Sequence, residues 1–212
     1  MSEESNNLQA DRKKITSIFR RNPLVFILWG LDYVWVWLIV QLFGWLAYDR
    51  KYLKTRHFKY LWSPGWRWAY NGMFKKLFCG HGRGIPWPIG STTGINALNI
   101  DFDPEDLNNF QTNTYFQCWS TGRIIIGCGT YIAQGCALIT TNHDPRDPDK
   151  HLPAQDIVLG EKCWLGANVV VMPGVVLGNG TVVGANAVVT KSFPEGNCII
   201  AGVPATIIKE LD

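Results

Sequence analysis

The sequence is poor in charged residues, and its cysteines lack the spacing that binds zinc. Charged residues make up 17% of the 212 residues and the formal net charge is +3, so the balance indicates no nucleic-acid partner. None of the six cysteines lies in a C-x-x-C pair, which argues against a zinc site and favours reduced thiols in the core. We therefore expect no metal site.

Tryptophan and glycine, in contrast, are plentiful. Seven of the ten tryptophans fall between Trp29 and Trp68, so the composition divides the chain near residue 80. We predict a polar and basic leader at 1–23, a hydrophobic Trp-rich region at 24–80, a β-helix at 81–193 and a C-terminal cap at 194–212.

From Ile126 onward the sequence repeats with a period of six residues. Each six opens with an aliphatic residue, often followed by Gly or Ala, and a second small or apolar residue recurs at the fifth place. The opening residues are Ile126, Ile132, Leu138, Leu159, Leu165, Val171, Leu177, Val183 and Val189. This period is typical of a parallel β-helix, in which each six forms a strand and a corner and three sixes close one triangular coil. An ordinary β-sandwich would instead alternate with period two.

The repeats, the "NHD" that ends at Asp144 and the closing "AGVPATIIKEL" resemble the hexapeptide-repeat acyltransferases, among them galactoside, maltose and capsular-polysaccharide O-acetyltransferases. Residues 122–211 carry the resemblance. It implies a left-handed parallel β-helix, assembled as a homotrimer, with acetyl-CoA as the co-substrate bound between neighbouring prisms. The fold class that we expect is therefore mostly β: this β-helix preceded by a Trp-rich, largely helical N-terminal region that associates with a membrane.

The stretch "TTNHDPRDP", which begins at Thr140, interrupts the repeats. His143 ends a repeat and should lie on rigid scaffold, at the base of a loop over 144–156. Imidazole is the usual general base near neutral pH. The resemblance implies that role for His143, which would take the proton of an acceptor hydroxyl and return it to the departing thiol.

A general base is more effective when a neighbouring group fixes its tautomer. The candidates are Asp144, Asp147, Asp149, Asp156 and a backbone carbonyl. By its spacing, the resemblance to galactoside enzymes favours Asp156, although Asp156 could also bind backbone donors where the loop rejoins the coil. Asn113 stands where some relatives orient the acceptor, with stacking between coils as the alternative, and we expect His151 to be solvated or lid-like.

The resemblance also implies a coenzyme A site on the repeats. Its residues are Trp164, Ala167, Ala185, Thr190, Lys191 and Lys209. Small residues would let the pantetheine arm lie against the backbone, although corner geometry alone explains Ala167 and Ala185 equally well. Lys191 could reach the phosphates of the nucleotide. Relatives often have Arg or Lys where this chain has Thr206, so Lys209 is the next base available for the 3′-phosphate.

Leu24–Tyr48 is a hydrophobic run that contains one charged residue, Asp32. As a helix it would be ~37 Å long, and the hydrocarbon core of a bilayer is ~30 Å thick. Basic residues on both sides favour a segment that dips into, or lies in, the cytoplasmic leaflet. A soluble cap packed on the trimer is the alternative. In a membrane, Asp32 would need a partner.

Together these features predict an acetyl-CoA-dependent O-acetyltransferase of a saccharide hydroxyl, located on the cytoplasmic face of the inner membrane. Its acceptor would be a cell-surface glycan or the lipid-linked precursor of one. An N-acetyltransferase of an amino sugar and a non-catalytic β-helix scaffold remain alternatives. A carbonic anhydrase of this fold would need three metal-binding histidines, and the repeats from Ile126 onward, with their loop, supply only His143 and His151.

Overall fold

The structure, a computed structural model, describes residues 23–96, 98–118 and 121–211. Its helices are α1 (Pro23–Phe43) and α2 (Pro64–Cys79), with 3₁₀ helices at Gly44–Leu46, Arg50–Lys54, Arg56–Phe58 and Pro104–Phe110. Its strands are β1 (Gly94–Ile95), β2 (Ile100–Phe102), β3 (Tyr115–Gln117), β4 (Ile124–Ile126), β5 (Tyr131–Ile132), β6 (Ala137–Ile139), β7 (His143–Asp144), β8 (Asp147–His151), β9 (Ile157–Leu159), β10 (Trp164–Leu165), β11 (Val170–Val171), β12 (Val176–Leu177), β13 (Val182–Val183), β14 (Val188–Val189), β15 (Cys198–Gly202) and β16 (Ala205–Glu210).

Three parallel sheets form the three faces of a coiled body. Face A has the order β1-β3-β6-β11-β14, face B has β2-β4-β9-β12, and face C has β5-β10-β13-β15 with β16 added antiparallel. Successive strands visit the faces in turn, so that β9, β10 and β11 lie on faces B, C and A. Leu165 pairs with Val183, three sixes further along the chain. The parallel sheets agree with the predicted β-helix. The left-handed sense of the coil stays a prediction.

The interior of the coil is built from the first and fifth residues of each six. All nine aliphatic opening residues are buried, and Leu138, Val171 and Val189 have no exposed surface. Fifth-place residues such as Cys136 and Val169 are buried beside them. Because each strand stacks in register on the next, every coil buries its apolar side chains against those of its neighbours.

The buried cysteines are free thiols packed as small apolar side chains. Cys118, Cys136, Cys163 and Cys198 are buried and unpaired. Burial raises the pKa of the Cys118 thiol to about 12, which suppresses the reactive thiolate.

The corners explain the glycine and asparagine pattern of the repeats. In seven of the nine sixes the fourth place has a left-handed backbone, with φ of +78° at Gly135, +59° at Asn168 and +61° at Asn186. Glycine and asparagine tolerate this conformation best. Gly166, at the second place of its six, lies close to the next coil: a Cβ there would be 2.7 Å from the Ala185 nitrogen, so this position requires glycine.

Both ends of face C are closed. At one end, the 3₁₀ helix Pro104–Phe110 substitutes for a strand: the Asn109 side chain donates to the Thr130 carbonyl (2.8 Å) and accepts from the Ile132 N–H (2.9 Å). At the other end, β16 folds back antiparallel on β15. These additions satisfy backbone groups that the end strands would otherwise expose.

Helix α1 leaves most of its apolar surface uncovered. Leu24, Leu28 and Leu42 are 60–68% exposed, and of the described α1 side chains only Val36 and Val40 are buried. The segment Ile27–Leu46 is long and apolar enough to cross a membrane, by length and composition alone.

Asp32, the single charge of this run, forms a salt bridge with Arg67 of α2. The Arg67 guanidinium also lies 5.3 Å from the centre of the Tyr33 ring. The partner that the sequence requires for Asp32 is therefore present within the same chain.

Candidate active site

The interruption in the repeats is an ordered hairpin. Strand β7 pairs antiparallel with β8, and the Asp144 carboxylate accepts from the Arg146 N–H (2.8 Å) at the turn between them. The return strand is tied to the coil, because the Leu152 N–H donates to the Asn142 carbonyl (2.8 Å) and the Thr141 hydroxyl donates to the Leu152 carbonyl (2.7 Å). His143 consequently stands at the rigid base of the hairpin.

The imidazole of His143 is oriented by a backbone carbonyl. Its Nδ1 lies 2.6 Å from the carbonyl oxygen of Pro148. A carbonyl only accepts hydrogen bonds, so this contact places the proton on Nδ1 and the lone pair on Nε2. The residue is exposed, and Nε2 is therefore the nitrogen suited to take a proton from a substrate.

A second histidine faces His143 across the hairpin. His151 pairs with His143 in register, and their ring centres are 4.3 Å apart with the planes inclined by 38°. The sequence prediction of a solvated or lid-like His151 overlooked this contact. The signal that could have revealed it is the turn-rich "DPRDP" between the two residues, which is typical of a hairpin.

A cleft of about 520 Å³ lies beside the hairpin and crosses three coils. It is bordered by Asn142 and Leu152 at the hairpin base, by Met172 and Pro173 in the next coil, and by Thr190 in the coil after that. Its volume suits a small ligand or part of a larger one. Thr190 is thus a predicted coenzyme A residue that the fold brings to the same corner as His143.

Asp156 lies where the hairpin rejoins face B. Its carboxylate accepts from the backbone N–H of Arg123 (2.8 Å), which is the structural alternative that the sequence offered. The group on His143 Nδ1 is the Pro148 carbonyl. A role for Asp156 in orienting His143 stays a prediction from the resemblance.

Other predicted site residues lie at a different corner of the same chain. Ala167 and Ala185 follow β10 and β13, at the corner between faces C and A, whereas His143 follows β6, at the corner between faces A and B. Asn113 also lies at the first corner, where its carbonyl accepts from the Gly135 N–H (2.7 Å). This contact involves only the backbone, and within one chain Asn113 lies at the opposite end of the face A strands from His143. A role for its side chain toward the acceptor stays a prediction.

The remaining predicted residues are exposed. Trp164 lies on face C, 56% exposed and in register with the exposed Tyr131. Lys191 follows Thr190 and holds its ammonium 5.5 Å from the Phe193 ring centre, and Lys209 lies on β16 opposite Ile199. Across residues 23–96, 98–118 and 121–211, no group of three or more His, Cys, Asp or Glu side chains is placed to hold a metal ion.

Comparison with known proteins bears on the repeat region. Residues 156–191 match the family description "Bacterial transferase hexapeptide (six repeats)". The chain carries this hexapeptide repeat. The resemblance to hexapeptide-repeat acyltransferases that the sequence indicated is thereby confirmed.

A curated relative is an acetyltransferase by name. WcaF of Escherichia coli (strain K12), whose name describes a colanic acid biosynthesis acetyltransferase, is 45% identical over 57 residues, which are 27% of this chain and 31% of WcaF. The chain thus aligns with less than a third of this curated relative.

Two solved structures show similar partial overlap. The polysialic acid O-acetyltransferase OatWY is 35% identical, with 46% of this chain and 48% of that chain covered and a TM-score of 0.41. A galactoside acetyltransferase in complex with coenzyme A is 25% identical, with 58% and 64% covered and a TM-score of 0.40.

Proposed function

We propose that this chain is an acetyl-CoA-dependent O-acetyltransferase that acts on a saccharide hydroxyl, with His143 as general base. The observation that carries the proposal is the His143 imidazole, held through Nδ1 by the Pro148 carbonyl, on a hairpin whose base borders a cleft in a hexapeptide-repeat body. The names of OatWY, a polysialic acid O-acetyltransferase, and of WcaF, a colanic acid biosynthesis acetyltransferase, support the choice of acceptor class.

In this mechanism, Nε2 of His143 removes the proton from the acceptor hydroxyl. The oxygen attacks the thioester carbonyl carbon, and the resulting oxyanion accepts hydrogen bonds from backbone N–H groups. When the carbon–sulfur bond breaks, the imidazolium returns its proton to the thiolate. The products are the acetyl ester and free coenzyme A, and His143 ends in its starting protonation state.

We further propose that the donor lies between two chains of a homotrimer, along Trp164, Ala167, Ala185, Thr190, Lys191 and Lys209. Ala167 and Ala185 share one corner, and Thr190 borders the cleft at the His143 corner. In such a trimer, the corner with Ala167 and Ala185 of one chain would lie against the corner with Thr190 of the next chain. These residues would then border one site.

We also propose that the protein works at the cytoplasmic face of the inner membrane, associated through residues 24–80. The uncovered apolar surface of α1 supports this proposal. An enzyme there would meet a cell-surface glycan precursor while it is linked to lipid, and acetyl-CoA reaches it from the cytosol.

The test is acceptor-dependent release of free thiol from acetyl-CoA by the purified protein in detergent. His143→Asn keeps a donor for the Pro148 carbonyl but removes the base, and we expect it to lower kcat by roughly 10²–10⁴-fold. His81→Gln, outside the hairpin, should leave the rate unchanged. Unchanged turnover in His143→Asn would exclude His143 as the base, and absence of coenzyme A binding by the wild type would favour the scaffold alternative.

The product separates O-transfer from the N-transfer alternative. An acetyl ester is cleaved by mild alkali, whereas an acetamide survives it. We expect the label transferred from acetyl-CoA to be alkali-labile. An alkali-stable product would assign the enzyme to amino sugars.

A further inference from the structure

A second cleft lies in the N-terminal region, outside the His143 site. It has two adjoining compartments, of about 650 Å³ and about 350 Å³, which share Gln41, Leu53 and Trp66 as lining residues. The larger compartment is mainly apolar and aromatic and includes Trp37 and Phe58. The cleft is therefore roomy at its apolar end and narrower at the other.

The smaller compartment is basic. Arg50 and Lys54, at the two ends of one 3₁₀ helix, both line it, and Lys59 borders the larger compartment. None of these three residues enters a salt bridge within the part of the chain that the structure describes. Asp49, the nearest acidic residue in sequence, lines neither compartment. An anionic group in the smaller compartment would therefore meet two uncompensated positive charges.

The aromatic residues around the cleft are held in place. The Trp45 indole, which lines the basic compartment, donates to the Leu42 carbonyl (2.8 Å). The Tyr60 ring, which lines the apolar compartment, stacks on Trp62 with 5.5 Å between ring centres. Tryptophan and tyrosine beside exposed apolar surface are typical of the membrane–water interface.

We propose that this cleft binds one anionic phospholipid, with the phosphate between Arg50 and Lys54 and an acyl chain in the apolar compartment. The pairing of a basic pocket with a contiguous apolar one matches a phosphate headgroup joined to a hydrocarbon tail. Residues 1–22 are a poor alternative occupant, because their five basic residues outnumber the acidic Glu3, Glu4 and Asp11, and this net positive charge would oppose the basic rim. The inference rests on the proposed membrane association and adds to it a specific lipid site.

The experiment measures co-flotation of the full chain with vesicles of phosphatidylcholine alone or of phosphatidylcholine with phosphatidylglycerol. We expect phosphatidylglycerol to tighten binding, and Arg50→Gln/Lys54→Gln to lose most of that gain, roughly tenfold or more in affinity. The matched control, Lys75→Gln/Arg83→Gln, removes one exposed lysine and one exposed arginine from the same region, away from the cleft, and should retain the gain. Circular dichroism melting would establish that all variants are folded.

Several outcomes would overturn the inference. Equal losses in the two double variants would indicate diffuse attraction to a charged surface. Competition by inorganic phosphate would assign the basic compartment to a free anion, and a gain from polyprenyl phosphate but not phosphatidylglycerol would assign the cleft to a lipid-linked acceptor. Wild-type binding that is equal on both vesicles would refute this inference alone, whereas no binding to either would refute the proposed membrane association itself.

Discussion

At the scale of single residues, the orientation of the His143 ring depends on a hydrogen-bond partner that does not titrate. The Pro148 carbonyl holds Nδ1 at 2.6 Å, and a carbonyl keeps accepting at any pH at which the protein is folded. A carboxylate partner would become a weaker acceptor on protonation, because it loses its charge and one oxygen becomes a donor. The orientation of the base should therefore not depend on the ionisation of a loop acid.

Substitution of Asp156 tests this view. Asp156→Asn retains an oxygen that can accept from the Arg123 N–H, so we expect unchanged stability and a kcat within a few-fold of the wild type. Asp156→Ala leaves that N–H without its partner and should cost about 1 kcal/mol in the free energy of unfolding. Chemical denaturation and steady-state kinetics measure the two effects. A large fall in kcat for a stable Asp156→Asn protein would instead support the orienting role that the resemblance implies.

At the scale of elements, a polar joint connects the N-terminal region to the coil. Arg56 pairs with Asp106 (3.1 Å), and its N–H donates to the Glu105 carboxylate (2.7 Å). His57 Nε2 lies 2.9 Å from the Glu105 carbonyl, and the His57 ring lies 4.9 Å from that of Trp68. The 3₁₀ helices Arg56–Phe58 and Pro104–Phe110 therefore contact each other through two neighbouring residues on each side.

Acid should weaken this joint. Burial lowers the pKa of His57 from its ordinary value of 6.5, with the neighbouring Arg56 acting in the same sense and the Glu105 carbonyl and the Glu105 and Asp106 charges opposing. At His57 the unfolded chain therefore binds a proton more readily than the folded chain. The stability that neutral His57 contributes is present above pH 6.5 and is lost as the pH falls through the lowered pKa of the folded state. We expect urea midpoints to fall with acidification across this window, and His57→Gln to reduce the fall. His81→Gln, outside the joint, should keep the full dependence, and identical profiles for wild type and His57→Gln would contradict the prediction.

At the scale of the whole molecule, one chain keeps the predicted residues apart. His143 and Thr190 lie at the corner between faces A and B, while Ala167 and Ala185 lie at the corner between faces C and A. A strand of face A separates the two corners in every coil. A complete site with all of these residues would therefore need corners from two neighbouring chains.

Mixed assemblies test this arrangement. His143→Asn removes the base, and Ala185→Trp places a bulky side chain at the other corner, so each variant alone should be inactive. Differently tagged copies of the two, co-expressed and purified through both tags, should regain acceptor-dependent thiol release, because some sites then combine two unaltered corners. A doubly substituted chain mixed with His143→Asn should regain none. Co-purification of the two single variants without recovery of activity would place the whole site within one chain.

The sequence by itself determined the repeating body. Each six carries an inward aliphatic residue, and seven of the nine have a corner residue with a left-handed backbone; the order of residues alone reveals these local requirements. The same holds for the place of His143, since an interruption after a complete repeat must begin on the scaffold. The long apolar helix was likewise evident from composition, because the run contains a single charge.

Only the tertiary structure decided which groups meet. The Pro148 carbonyl on His143, His151 against His143 and Arg67 on Asp32 each depend on the angle at which the chain turns back, and a backbone carbonyl leaves no mark in the sequence. The basic and apolar compartments beside α1 arise from residues in α1, three 3₁₀ helices and α2 that share no motif. Periodicity specifies which side of a strand is buried, whereas contacts between distant segments depend on how the elements pack, which no local pattern encodes.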